Sequence, residues 1–267
     1  AQTASVLFRA YWILERPDLR EVGRLVLDKL IAKSRDNDLF HVFKPESSES
    51  HRLMLLCDWA SLLNVLMDSH NWDNSNQKSL AMAVEVAGTL VSVFYDKENG
   101  GFFDTAEDEN AVGYLKLREK PLPDNLLAIE GLLKLYNATR DNAYHEILND
   151  SLSAFTKTYG DYGEYAASYG LLQERFLNPQ VEITVEGRPL DKSTLELLKA
   201  AGRTNVRQLL IKPLLDSNYV GQAQAVVCYA STCMPPVQDP VSIQEQINSL
   251  LSVSNSDEND IFKRFSI

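Results

Sequence analysis

The sequence predicts a mainly α protein, built from helical hairpins over most of its length and closed by a small α/β segment. Two observations carry the helical part: apolar residues recur at three-to-four spacing up to about residue 178, and the runs come in pairs. A third marks the change of class. From about residue 179 the pattern becomes β-branched and alternating, as strands require.

The elements follow in order. "ASVLFRAYWIL" sets Val6, Ala10, Ile13 and Leu14 on one side of a helix, and "VGRLVLDKLIAK" does the same with Val22, Leu25, Val26, Lys29 and Leu30. Pro17 between them suits the first turn of the second helix. "DWASLLNVLMDSHNW" and "SLAMAVEVAGTLVSVFYD" form a second pair, and "NLLAIEGLLKLYNATRD" and "AYHEILNDSLSAFTKTYG" a third, with Ala4, Ala60 and Ala128 near comparable helix starts. "GEYAASYGLLQERFL" supplies one more helix. Repeated helix pairs stack, either as an open solenoid or as a toroid.

The long connection "YDKENGGFFDTAEDENAVGYLKLREKPLPDN" carries a Gly100-Gly101 turn and alternation around "VGYLKLRE", which predicts a short β-hairpin at one rim. Beyond it, "PQVEITVEG" reads as a strand, "DKSTLELLKAAGRT" as a helix and "NVRQLLIKPLL" as a second strand, a βαβ-like unit. "AQAVVCYASTC" reads as a further strand, and "DPVSIQEQINSLLS" as a helix capped by Asp239 with Pro240 in its first turn. The expected division is 1–178 helical, 179–253 α/β, and 254–267 a polar, flexible tail.

Charge and cysteine usage narrow the function classes. Thirty-seven acidic against 26 basic residues give a net charge of −11, with no basic run to neutralise a phosphate backbone, which argues against nucleic acid as a partner. The longest apolar stretches fall far short of the roughly 20 residues that span a bilayer, so no membrane partner is expected. Three cysteines do not make a disulfide framework. A reducing, cytoplasmic setting fits that count. The chain begins "AQTASVLFRAYWILERPD", without methionine and already in helical periodicity, which suggests a piece of something longer.

Three segments, "FYDKENGGFFDTAED…LKLREKPLPDN", "VEITVEGRP…TLELLKAA" and "VVCYASTCMPPVQDP", resemble the C-terminal part of thioredoxin-domain-containing proteins of the spermatogenesis-associated type. The resemblance covers most of the chain. It implies a helical toroid of the six-hairpin glycosidase class, similar in shape to N-acylglucosamine epimerases, of which the helices here are about half. The chain departs from that family where a Pro-Ser-Gly-Asn-Ser motif would follow, running from "REKPLPDN" straight into "LLAIEGLLKL". Implied partners are a sugar ligand, and the missing toroid half, a thioredoxin-like domain or a second copy. No cofactor is implied.

The resemblance also points to candidate site residues. Asp58-Trp59-Ala60 stands where the family has Asp-Tyr-Ala; an acid beside an aromatic ring can bond sugar hydroxyls while the ring stacks on a sugar face. The alternative is a helix N-cap followed by a core tryptophan. Arg118, Lys120 and Asp124 match an Arg-x-Lys…Asp stretch that could grip a polyhydroxylated or anionic ligand, or simply brace a loop with Asp124 capping the next helix. Asp58 and Asp124 are therefore the candidate catalytic carboxyls, with Asp104 and Glu107 as further acids, and Trp59, Arg118 and Lys120 the candidate binding groups. The function expected is carbohydrate binding or processing in a parent protein, the alternative being a non-catalytic scaffold or interaction module. Whether the chain is an enzyme stays open.

Cys228 and Cys233 stand apart. A zinc site would need further paired ligands, yet the other candidates are Cys57 and the scattered His41, His51, His70 and His145, so no metal is expected. The spacing is not the Cys-x-x-Cys of a redox helix. A labile disulfide across a turn is open; the plainer reading makes Cys228 a small buried strand residue and Cys233 a turn anchor before Pro235 and Pro236.

Overall fold

A computed structural model of the chain describes residues 1–14, 16–33, 54–72, 78–206, 209–230 and 232–264. The chain divides into two compact units, Ala1–Tyr11 with Arg16–Leu177, and Trp12–Glu15 with Asn178–Ile267. The first is helical and the second α/β. His41 and His51 lie outside the described residues.

The helical unit opens with α1 (Gln2–Leu14) and α2 (Pro17–Lys33). Gly23 lets the two helices approach, because a Cβ there would lie 3.3 Å from Phe8 Cε1. The side buried in this hairpin is not the expected one. Ala4, Phe8, Tyr11 and Leu27 are buried, whereas Val6, Leu14, Val22 and Leu25 are 64%, 60%, 46% and 61% exposed. The helices carry two apolar stripes, and the one holding the large aromatic rings of Phe8 and Tyr11, with the most area to remove from water, turns inward.

Next come α3 (Leu56–Trp72) and α4 (Lys78–Phe94), then α5 (Leu122–Thr139), α6 (Asn142–Ser153) and α7 (Tyr165–Leu177). The first helices of the two hairpins, α3 and α5, run parallel. Asn64 donates to the Leu127 carbonyl at 2.8 Å, and two turns further along α5 Lys134 Nζ reaches Asn64 Oδ1 at 2.9 Å and Asp68 at 3.0 Å. Gly131 sits at their closest approach, where a Cβ would lie 2.9 Å from Leu63 Cγ. Leu62, Leu63, Leu66, Met67, Ile129, Leu132 and Leu135 fill the space around this pair. α4 and α6 pack on the outer sides of α3 and α5, and Tyr169 of α7 closes the end by donating to the Leu152 carbonyl at 2.7 Å.

The connection from α4 to α5 forms no named strand among the described residues. It touches its neighbours through single bridges, Tyr95 with Phe102 and Leu55 with Thr105, and "VGYLKLRE" winds a 3-10 turn, Gly113–Lys116, in place of the expected hairpin arm. Gly113 starts that turn at φ 60°, a left-handed backbone that ends the alternation.

The α/β unit is a four-stranded sheet in the order β2-β1-β3-β4. Parallel β1 (Val181–Gly187) and β2 (Leu209–Leu215) are joined through α8 (Lys192–Gly202), and β3 (Gln224–Tyr229) runs antiparallel to β1. β1 alternates strictly: Val181, Ile183 and Val185 are buried with Leu197 and Leu198 of α8. The opposite face is polar, with Glu182 paired to Lys212 at 2.8 Å and Gln224 donating to Glu186 at 2.9 Å. Pro213 sits on β2, an edge strand, where its missing N–H costs no ladder bond. The segment "AQAVVCYASTC" is not one strand: it turns at Ala230 (φ 52°) and returns as β4 (Thr232–Cys233). Asp239 Oδ1 accepts from Val241 N at the start of α9 (Pro240–Arg264), whose Ile243, Ile247 and Leu250 are buried. α9 continues through 254–264, read from sequence as tail, since neither glycine nor proline interrupts it.

Candidate functional site

Parallel packing of α3 and α5 puts their N-terminal turns side by side, and each turn carries an acid, Asp58 or Asp124. Neither is an N-cap: both lie inside the first turn, and Pro121 holds the cap position of α5. Helix N-termini favour carboxylates, which explains why two acids are tolerated there. Asp104, on the connection, joins them. The half-buried Asp124 carboxyl is held above its ordinary range, first by burial, then by the negative charges of Asp104 and Asp58. Cys57, also half-buried, feels the same field: burial, Asp58 and Asp124 push its thiol up to about 11. Three of the four acids named from sequence thus share one electrostatic environment, while Glu107 is exposed and not among the charges acting on Asp124.

The walls are fixed by backbone. Leu56 N donates to the Asp104 carbonyl at 2.8 Å, tying α3 to the connection. Asp104 N donates to the Glu119 carbonyl at 2.8 Å, and Glu119 N returns a bond to Asp104 Oδ1 at 3.0 Å. Asn125, fully buried, accepts from Phe102 N at 2.6 Å and donates to the Phe102 and Pro121 carbonyls at 2.9 Å each. Gly100 and Gly101 take φ 68° and 75°, and a Cβ on Gly100 would run into the Asp150 carbonyl, so the turn before Phe102 needs glycine.

The expected binding groups are engaged in this scaffold. Arg118 donates from Nε to the Thr105 carbonyl at 2.8 Å and from Nη2 to the Val93 carbonyl at 3.1 Å, and lies over Phe103 at 4.2 Å. Lys120 binds Asp96 and the Gly100 carbonyl, both at 2.6 Å. That pairing holds the Asp96 carboxyl far below the usual range. Trp59 is only 3% exposed within the core, so its ring has no open face for a sugar, and its Nε1 is buried without a hydrogen-bond partner among the described residues. Exposed rings lie elsewhere: Tyr114, between the two ends of the Asp104–Glu119 pair, is 90% exposed.

Asn125 and Tyr114 carry no mark of their place in the sequence itself. A lone asparagine after Asp124 gives no periodic signal, and Tyr114 sat inside the apparent alternation. His145 packs between Tyr136 and Phe176 at 5.4 and 4.8 Å. Among the described residues no group of three or more His, Cys, Asp or Glu side chains could hold a metal ion.

Cys228 and Cys233 are directly opposite on β3 and β4 and form a disulfide, with Cα atoms 4.0 Å apart. This corrects the plainer reading of two unbonded thiols. Met234 N donates to the Val227 carbonyl at 2.8 Å, which makes 228 and 233 a non-hydrogen-bonded pair, the cross-strand position where side chains stand closest. Cys228 is half-buried rather than buried, and Cys233 is exposed.

Comparison with protein-family models and with curated proteins gave no match. Among the described residues no helix is long and apolar enough to cross a membrane.

Proposed function

We propose that the helical unit handles a carbohydrate at the N-terminal ends of α3 and α5, with Asp124 as proton donor and Asp58 as its partner carboxyl. The observation that carries this is the raised Asp124 carboxyl beside two like charges, the pattern by which two acids divide acid and base work. Asp124 gives its proton to the glycosidic oxygen as the bond to the anomeric carbon breaks. Asp58 takes the proton of the water that replaces the leaving group. Tyr114 supplies the stacking ring that the core-bound Trp59 does not. The resemblance of the sequence to six-hairpin glycosidase-like proteins favours the same chemistry and a toroid completed by helices beyond this chain.

The test is turnover of a panel of nitrophenyl glycosides by the wild-type chain and by Asp58→Asn and Asp124→Asn. Activity lost by about 100-fold or more in each variant is expected. Equal turnover in all three, or none with any sugar, overturns the reading. Stability gives a second readout. A folded pKa raised above the unfolded one means stability is full at low pH and is lost as pH rises from the ordinary carboxylate range to the raised value. Asp124→Asn is therefore expected to melt higher than wild type at neutral pH, and no higher at pH 3.

A second reading, a non-catalytic module packed against a partner, is favoured by Val6, Val22 and Leu25, which leave an apolar stripe of α1 and α2 in solvent. Sedimentation separates the two. A scaffold self-associates or captures its missing helices through this stripe, and Leu25→Asp abolishes that while leaving sugar turnover intact.

A further inference from the structure

We propose that the Cys228–Cys233 bond is a site of thiol–disulfide exchange, at which a dithiol reductant attacks Cys233. The bond joins the last strand of the sheet to its neighbour, and among the described residues β4 has no strand on its other side. Cys233 is exposed there, as is Thr232 beside it, so a thiolate can reach the Cys233 sulfur from solvent. Cys228 is less open. It is half-buried, on a strand that pairs with β1 along its other edge. Exchange rates depend on which sulfur is accessible, and access selects Cys233.

The bond is poorly placed to be a staple. It closes a ring spanning five positions of sequence, and short rings remove little entropy from the unfolded chain. The hairpin is also held without it. Met234 N bonds the Val227 carbonyl at 2.8 Å, Ala225 and Val237 exchange bonds of 2.7 and 2.8 Å, and Gln246 donates to the Pro235 carbonyl at 2.8 Å. Along its other edge β3 pairs with β1 from Gln224 to Tyr229. Opening the bond therefore leaves the strands in register. Cys57 does not compete as a thiolate, since burial and two carboxylates hold its proton at neutral pH.

The step balances as a two-electron transfer. One thiolate of the reductant bonds to Cys233 Sγ, the Cys228–Cys233 bond breaks, and Cys228 leaves as a thiolate. The second thiol of the reductant loses its proton and attacks the mixed disulfide, which releases Cys233. The reductant ends as a disulfide, and the pair takes up two electrons and two protons. In an oxidising setting the hairpin is cross-linked; in a reducing one it presents two thiols.

The experiment uses the full chain, air-oxidised. Brief exposure to glutathione followed by acid quench and peptide mapping is expected to find the adduct on Cys233 in about tenfold excess over Cys228. Dithiothreitol is expected to reduce the bond with the circular dichroism unchanged, and removal of the dithiol in air to restore it. The proposal is overturned if the bond opens only in denaturant, if the adduct forms on Cys228, or if the air-oxidised protein carries both cysteines as free thiols. Cys228→Ser guards against misassignment: its lone Cys233 must still take up glutathione from glutathione disulfide in the folded protein.

Discussion

Both the α1–α2 hairpin and the α3–α5 pair bring a glycine to the closest approach of two helices, Gly23 in one and Gly131 in the other. Gly23 meets the edge of the Phe8 ring, with Leu7 Cβ just behind it at 3.5 Å. Gly131 meets the branched carbon of Leu63 and the amide of Asn64, and beyond it a chain of polar groups fixes the register: Asn64, Lys134 and the 3%-exposed Asp68 carboxylate. Arg9 of α1 adds only a longer contact to Asp68, at 3.5 Å from a half-exposed side chain. Between α1 and α2 Arg20 also lies over the Tyr11 ring at 5.1 Å, a contact of a half-buried guanidinium that tolerates some sliding. Buried charge does not, because every displacement leaves a carboxylate without its partner. α3 and α5 carry the site, and they are the helices whose relative position is specified.

Four substitutions probe that contrast, in descending order of effect. Lys134→Met strips Asp68 of its nearer cation and should cost about 3 kcal/mol in urea unfolding; a loss under about 1 kcal/mol would show that Arg9 suffices. Gly131→Val forces a side chain into Leu63 and should cost about 2 kcal/mol, with turnover falling too if the Asp58–Asp124 spacing depends on this crossing. Gly23→Ala should change stability by less than about 0.5 kcal/mol, since the ring can yield while alanine improves the helix. Leu25→Ser, in the exposed stripe, should leave unfolding unchanged within error; a clear loss would mean the stripe is covered in solution.

Much of the fold is legible in the sequence because periodicity reports how a helix or strand meets a core. β1 is read correctly because its alternation has a single way to be buried, and α3 and α5 because they are apolar nearly all round and bury most of their surface whichever way they turn. α1 and α2 mislead because both of their stripes are apolar, and the larger rings of Phe8 and Tyr11 decide between them. The rim connection misleads for a different reason: its alternation is genuine, yet no partner strand is supplied, and Gly113 turns the backbone instead. At the site, acids at 58, 104 and 124 can be picked out as candidates, but their shared field arises from helix packing between distant parts of the chain. Arg118 and Lys120 carry the right chemistry for a ligand and are consumed by the Thr105, Val93 and Gly100 carbonyls and by Asp96, bonds that no spacing rule announces.

The paired backbone of Asp104 and Glu119 means that the chain leaves the helical framework at one residue and re-enters it beside the same residue. Thr105, Ala106 and Arg118 stay bonded to the framework, and the stretch 107–117 between them, with the exposed Val112, Tyr114 and Leu117, is a detachable cassette. Its length and sequence can be exchanged while the α4 and α5 ends stay clamped. Loop grafting at 107–117 thus leaves the acids where α3 and α5 hold them.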